Sequence, residues 1–220
     1  MMGYRRSYRR PHKSRFVEMF GDVLSPSDEF KVVKVADVST VGSSKRIFQE
    51  EYVSEGIPFY RTKEIVELSH GKPLSVELFI TQSRYNEIKS RYGVPMKGDL
   101  LVSAVGTIGE IWIVDGVREF YFKDGNLMQI RAGEKLDPVY LRQCLKTLIQ
   151  HFKAMIPSGT AYAALTIDYV KKMKLPLPPL SLQREFAAFV AKVDKLAFAV
   201  RKSLETAEKL YRQQLSEAFA

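Results

Sequence analysis

Lys174-Leu175-Pro176-Leu177-Pro178-Pro179-Leu180-Ser181-Leu182-Gln183-Arg184-Glu185 divides the chain into two regimes. Proline lacks a backbone N–H and has a fixed φ, so Pro176, Pro178 and Pro179 forbid a helix and favour an extended segment. Ser181 then makes a good helix N-cap, with Glu185 in the first turn at the positive end of the helix dipole. The capping box is incomplete, because Arg184 stands where Glu or Gln would reach back. No Gly or Pro follows Pro179. The remaining residues therefore read as one helix of about 39 residues, roughly 58 Å long. Leu182, Phe186, Phe189, Val193, Leu196, Val200, Ala207 and Leu210 keep a three-four spacing, and Leu204 takes over where Ser203 interrupts it. Sustained 3.5-residue periodicity marks a coiled-coil seam, and such a helix outreaches the domain before it. The expectation is that this stripe pairs with another helix.

Working back from the prolines, helical periodicity reaches Asp137. This residue can cap a helix with Pro138 at its first position. Val139, Leu141, Leu145, Leu148 and Ile149 form its apolar stripe, running to about Ala154. Pro157-Ser158-Gly159-Thr160 is a loop, and a second short helix is expected from Thr166-Ile167-Asp168.

Residues 23–135 follow strand chemistry instead. Runs at 30–35, 100–105, 111–114, 119–122 and 127–131 are rich in β-branched and aromatic residues. Turn signals separate them at Lys97-Gly98-Asp99, Gly106 to Gly109, Asp115-Gly116 and Asp124-Gly125. Asp115-Gly116, lying between two such runs, predicts a hairpin. One helix is expected at 82–92, ended by Gly93. At the start, Arg5, Arg6, Arg9, Arg10, Lys13 and Arg15 make a cationic segment. Phe16, Met19 and Phe20 share one face of a short helix from about Ser14, stopped by Gly21. The whole is α+β: a basic N-terminal stub at 1–22, a β-rich domain at 23–180, and a long coiled-coil helix at 181–220.

Composition narrows the function. Of 220 residues, 45% are hydrophobic, enough for a packed core and too many for global disorder. A single cysteine, Cys144, excludes an internal disulfide and fits a reducing compartment, so a cytoplasmic location is expected. No apolar run reaches about 18 residues, so no membrane span is expected. The basic start lacks the apolar core of a secretory signal. A net charge of +9 favours polyanionic partners, nucleic acid foremost.

The patterns of catalysis are missing. His12, His70 and His151 are far apart, and none pairs with a cysteine at ligand spacing, so neither metal nor cofactor is expected. Asp137-Pro138-Val139-Tyr140 resembles the Asp-Pro-Pro-Tyr box of amino-methyltransferases, but Val139 replaces the second proline and no glycine-rich cofactor loop precedes it. A helix cap explains it better. Glu29-Phe30-Lys31, after Asp22 and Asp28, mimics a nuclease metal site only at a spacing common by chance. No phosphate-binding loop, nucleophile elbow or zincin pattern occurs. A non-catalytic chain is expected.

Signals for nucleic acid are spread along the β-rich region. Ile57-Pro58-Phe59-Tyr60-Arg61-Thr62-Lys63-Glu64-Ile65 sets an apolar-aromatic run beside two cations. Arginine can donate two bonds to guanine in the major groove, while lysine and threonine suit phosphates. Ser103-Ala104-Val105-Gly106-Thr107-Ile108-Gly109 ends a buried strand in a glycine turn whose amides can approach a phosphate. Arg84, Tyr85, Lys123, Asn126, Thr160 and Tyr162 lie in or near loops with suitable chemistry.

Together these segments resemble the specificity subunits of type I restriction–modification systems. Ile57 to Ile65 looks like the opening of that family's target recognition domain. Gly98-Asp99-Leu100-Leu101-Val102-Ser103, running into Gly106-Thr107-Ile108-Gly109, looks like its central strand and turn. Ser158-Gly159-Thr160, followed by the proline segment and Leu180-Ser181-Leu182-Gln183-Arg184-Glu185, looks like its exit into a conserved helix. Lys13 to Asp22 looks like the end of another such helix. The resemblance implies a DNA reader. Its recognition domain would contact half of a split double-stranded target through Tyr60, Arg61, Thr62, Lys63, Arg84, Tyr85, Ser103, Thr107, Lys123, Asn126, Ser158, Thr160 and Tyr162. Its helix would measure the gap to the other half and dock methyltransferase subunits, which an endonuclease subunit joins. A full subunit of that family has two recognition domains, whereas this sequence has one. The expectation is a homodimer through antiparallel 181–220 helices, reading an interrupted palindrome. Two alternatives stay open: a helical scaffold from a truncated gene that no longer reads DNA, and a nuclease or methyltransferase fragment.

Overall fold

The computed structural model describes residues 11–157 and 163–218. The chain enters through α1 (Pro11–Phe20), which ends at Gly21 with φ 73°, a left-handed conformation that glycine adopts without penalty. There follow β1 (Val32–Lys34), α2 (Val35–Val38), β2 (Ser39–Gly42), a 3-10 turn (Gln49–Glu51), β3 (Tyr52–Val53), β4 (Ile57–Tyr60), α3 (Thr62–Ser69), β5 (Phe79–Ile80) and α4 (Gln82–Tyr92). The second half carries β6 (Leu100–Ser103), β7 (Ile111–Ile113), β8 (Tyr121–Phe122), β9 (Leu127–Ala132), α5 (Pro138–Met155), α6 (Ile167–Lys172), β10 (Lys174–Pro176) and α7 (Leu180–Ala218). The class is α+β with a long C-terminal helix.

One antiparallel sheet has the order β2-β9-β6-β7, and a second has β3-β5-β4-β8 with β4 and β8 parallel. The period-two alternation of a strand divides the first sheet between two cores. Leu100, Val102, Ile111, Met128 and Ile130 face the main core with α5. Leu101, Trp112 and Leu127 face the other way, onto Tyr60, Ile65 and Phe120. Burial on both faces explains why β6 is a continuous apolar run. The proline segment forms β10 and pairs antiparallel with β1, Val33 opposite Leu175.

Helix starts follow local chemistry. Asp137 Oδ1 accepts from Val139 N at 2.8 Å and Tyr140 N at 3.3 Å, capping α5 ahead of Pro138. Thr166 Oγ1 accepts from Tyr169 N at 3.2 Å and caps α6. The cap expected at Ser181 is corrected. The first turn of α7 instead hangs from Pro179 O, which accepts from Leu182 N and Gln183 N at 3.0 and 3.2 Å. Buried Gln183 explains the shift. Its Oε1 accepts from Asp137 N at 2.9 Å, and its Nε2 donates to Lys135 O at 3.0 Å and Pro178 O at 2.9 Å. That one amide ties the start of α7 to the start of α5. Phe16, Phe20, Tyr140 and Phe186 pack ring to ring around the same point, and Tyr140 Oη donates to Pro176 O at 2.8 Å. One apolar core runs from Phe16 to Val190, across both junctions expected at 22 and 180.

Two further expectations are corrected. Asp115-Gly116 does not close a hairpin, because β8 leaves β7 and joins β4 in the second sheet. Aromatic packing carries it there: Phe120 stacks on Tyr60 with ring centres 4.5 Å apart, and Trp112 lies 5.4 Å from Phe120. The run at 30–35 yields a strand only over Val32–Lys34. Asp37 Oδ2 accepts from Lys34 N at 3.0 Å, which turns the chain into α2 at Val35. Among the described residues no helix is long and apolar enough to cross a membrane.

Candidate nucleic-acid interface

Strands β2 and β6 run in the same direction, each antiparallel to β9 between them, so both end on one edge of their sheet. The β8–β9 turn reaches that edge and brings the second sheet with it. Lys123 N donates to Tyr60 O at 2.8 Å, which sets the ends of β8 and β4 side by side. Ala104 N donates to Asn126 O, and Leu165 N to Ala104 O, both at 2.8 Å. From β2, Ser43 Oγ donates to Leu127 O at 3.3 Å, Lys45 N to Tyr121 Oη at 2.6 Å and Arg46 Nε to Asp124 Oδ2 at 2.8 Å. Segments 43–46, 60–63, 104–107 and 123–126 therefore meet along one edge. Rigid strands position them, the arrangement in which loops carry recognition. These segments carry five cations, Lys45, Arg46, Arg61, Lys63 and Lys123. Of these, Arg46 pairs with Asp124, Arg61 with Glu64 and Glu77, and Lys63 with Glu77, while Lys45 Nζ lies over the Tyr92 ring.

Arg61 is the most tightly held of these. Its backbone N donates to Glu64 Oε2 at 2.7 Å, a reach back from the third residue of α3 that closes the helix start. Its Nη2 donates to Glu64 Oε1 at 3.0 Å and to Glu77 Oε2 at 2.8 Å. Lys63 Nζ donates to the other oxygen of Glu77. Hydrogen bonds from Lys63 and Arg61 hold the Glu77 carboxyl at about 2, well below the usual carboxylate range. The bond to Glu64 first, and that to Glu77 after it, raises the pKa of Arg61, and the bond to Glu77 raises that of Lys63. Thr62 Oγ1, at the head of α3, is buried without a hydrogen-bond partner.

The remaining expected residues separate by exposure. Thr107 is exposed at its loop tip, and Lys123 and Asn126 are half-exposed at the β8–β9 turn. Arg84 is braced at the head of α4, its Nε 2.7 Å from Glu51 and its Nη1 donating to Glu87 at 2.8 Å. Three contacts are corrected by burial. The Tyr60 ring lies in the second core against Phe120. Tyr85 lies in a third, with its hydroxyl pushed up to about 12 by burial and by Glu119. Ser103 Oγ turns inward, accepting from Glu110 N at 2.9 Å and donating to Thr107 O. These side chains shape the loops and present no surface to a ligand. Ser158, Thr160 and Tyr162, with Arg5, Arg6, Arg9 and Arg10, lie outside the described residues. Sequence reasoning passed over Lys45 and Arg46, whose only signal is a basic pair after Gly42-Ser43-Ser44. Among the described residues no three His, Cys, Asp or Glu side chains are grouped to hold a metal ion.

The stripe on α7 is split. Leu182, Phe186 and Phe189 pack on the main core, and Val193 is half-buried. Leu196, Val200, Leu204 and Leu210 are 66, 55, 58 and 56% exposed. The helix α1 lies against the packed half, with Arg15 Nη2 3.2 Å from Glu185 and His12 Nε2 3.3 Å from Asp194.

Known proteins match this arrangement. Residues 27–208 match the family described as the type I restriction modification DNA specificity domain. A protein of Haemophilus influenzae named as a type I restriction enzyme specificity subunit is 33% identical over 196 residues, covering 86% of this chain and 47% of its own length. One of Methanocaldococcus jannaschii, named as the MjaX specificity subunit, is 28% identical over 128 residues, covering 56% of this chain and 30% of its own. The crystal structure of the HsdS subunit from Thermoanaerobacter tengcongensis superposes with a TM-score of 0.66 at 17% identity, over 89% of this chain and 45% of that one. The S subunit from M. genitalium gives 0.58 at 16%, over 90% and 50%. The chain thus spans about half the length, or less, of the relatives it matches. The family match takes in both sheets and most of α7, and the chain belongs to the family of type I restriction modification DNA specificity domains.

Proposed function

We propose that this chain reads one half of a split double-stranded DNA target with the edge formed by segments 43–46, 60–63, 104–107 and 123–126. The observation that carries the proposal is the meeting of four chain segments at that edge, which brings Lys45, Arg46, Arg61, Lys63 and Lys123 into one neighbourhood, with Lys45 Nζ over the Tyr92 ring. Cations along one edge suit a phosphate backbone, and Arg61, the most rigidly oriented, suits a base edge. In this division residues 23–180 are the reader and 181–220 the spacer and docking arm. The exposed half of the α7 stripe would pair with a second copy, and the helices would hold methyltransferase subunits that an endonuclease subunit joins. Chemistry would then belong to those subunits and recognition to this one.

Selection of bound duplexes from a random library tests the proposal, using the chain with and without its methyltransferase subunit. An enriched interrupted palindrome is expected. A single short half-site would keep the reading and remove the dimer. No enrichment in either condition sinks it and favours a helical scaffold.

A further inference from the structure

Segment 72–78 joins α3 to β5 without regular secondary structure, and near its end it places Glu77 across the first turn of α3. One Glu77 oxygen takes Arg61 Nη2 at 2.8 Å, and the other takes Lys63 Nζ. Arg61 does not need this contact to keep its place. Glu64, fully buried, already holds both its backbone N and its guanidinium. Glu77 is half-exposed and closes no helix end. What it does is occupy two cations on the proposed DNA-reading edge with one forked anion. A carboxylate and a phosphate offer arginine and lysine the same kind of acceptor pair. An exposed ion pair is also weak enough to be exchanged.

We propose that Glu77 is a built-in competitor for DNA phosphate, which covers Arg61 and Lys63 in the free chain and yields only to a duplex that engages both. This rests on the DNA-reading role above. A wrong duplex then meets an edge with two cations occupied and its net positive charge lowered by one, while the right one exchanges the carboxylate for its own acceptors. Specificity is a difference of affinities, and a device that weakens non-target binding raises it.

Binding of the selected target and of a scrambled duplex, measured from about 50 to about 200 mM salt, tests the proposal. Glu77→Gln preserves shape and removes the charge. Its expected effect is a roughly ten-fold gain on the scrambled duplex at low salt, and a roughly two- to three-fold gain on the target. The slope of log affinity against log salt should steepen by about one. Glu134→Gln makes the same charge change at an exposed site beyond the opposite end of β9, and leaves all three quantities as in wild type. Arg61→Gln/Lys63→Gln with and without Glu77→Gln completes the cycle, and the Glu77 effect should vanish in that background. Equal affinities and slopes for wild type and Glu77→Gln, with wild type still selecting a target, overturn the competitor role and leave the reading intact. Failure of wild type and Glu77→Gln to bind any duplex removes the reading and the competitor together.

Discussion

Leu182 to Val190 and Leu196 to Leu210 belong to one helix and share one apolar rhythm, yet they meet opposite surroundings. The first half is covered by α1 and α5, with the Phe186 ring against Phe16 and Phe20. The second half carries residues of the same type with more than half of their surface open. Periodicity records that a helix has a face to bury and does not record what buries it. Here the division falls near Val193, just past Val190, the last residue of α7 in the main core. The packed half fixes where the helix leaves the domain, and the open half is the surface proposed above for a second copy.

The packed half breaks most easily. Phe186→Ala removes a fully buried ring touching two others, and should cost about 3–5 kcal/mol in denaturant unfolding. Gln183→Ala removes the side-chain partner of Asp137 N, Lys135 O and buried Pro178 O, and about 1–3 kcal/mol should be lost. Cys144 reports both changes. Burial pushes its thiol up to about 12, so a disulfide reagent at pH 8 should label it only when the core opens. Both variants should label faster than wild type, and unchanged labelling would show that the α5–α7 junction is not what closes the core over Cys144.

The helices of this junction were legible in the sequence, although the Gln183 tie between them was not, and the reading edge was legible much less. Asp137-Pro138 announced α5 and Gly93 closed α4, because side-chain caps and positive-φ glycines are local signals. The turn into α3 is not local in that way. Arg61 has no cap chemistry of its own, and the helix start is closed from inside by buried Glu64, which reads as an ordinary surface residue. Asp115-Gly116 has hairpin chemistry, but stacking of Phe120 on Tyr60 decides which sheet the next strand joins. Tyr60 and Tyr85 carry suitable chemistry for DNA, yet their facing depends on sheet register that their neighbours do not disclose. Lys45 and Arg46 sit where no periodicity draws notice, and contacts more than seventy residues away in sequence bring them to the edge.

The edge differs from the junction in using charge rather than fit, so Lys123→Ala should spare the fold. Arg61→Ala also strips buried Glu64 of its guanidinium, so the stability of that variant should be measured beside its binding. Arg61→Ala should cost about 1–3 kcal/mol of target binding and relax preference at one base position, measured by competition among single-base variants of the target. Lys123→Ala should weaken target and scrambled duplexes alike and flatten the salt slope by about one. If both losses prove uniform across sequences, the edge meets only the backbone and base reading lies elsewhere.

The open half of α7 should show the smallest effect on the fold and separates the two halves most cleanly. Leu196→Lys/Leu204→Lys changes residues of the same apolar stripe that Leu182 and Phe186 bury in the main core. Neither touches the main core, so unfolding free energy at concentrations that keep the chain monomeric should stay within about 0.5 kcal/mol of wild type. Cys144 labelling should likewise be unchanged. What should disappear is self-association, seen as a fall from twice the chain mass to the chain mass in sedimentation at micromolar concentration. With it should go the interrupted palindrome, replaced by a half-site. A variant that stays dimeric would place the dimer contact away from this stripe, and the exposed leucines would then belong to a different partner.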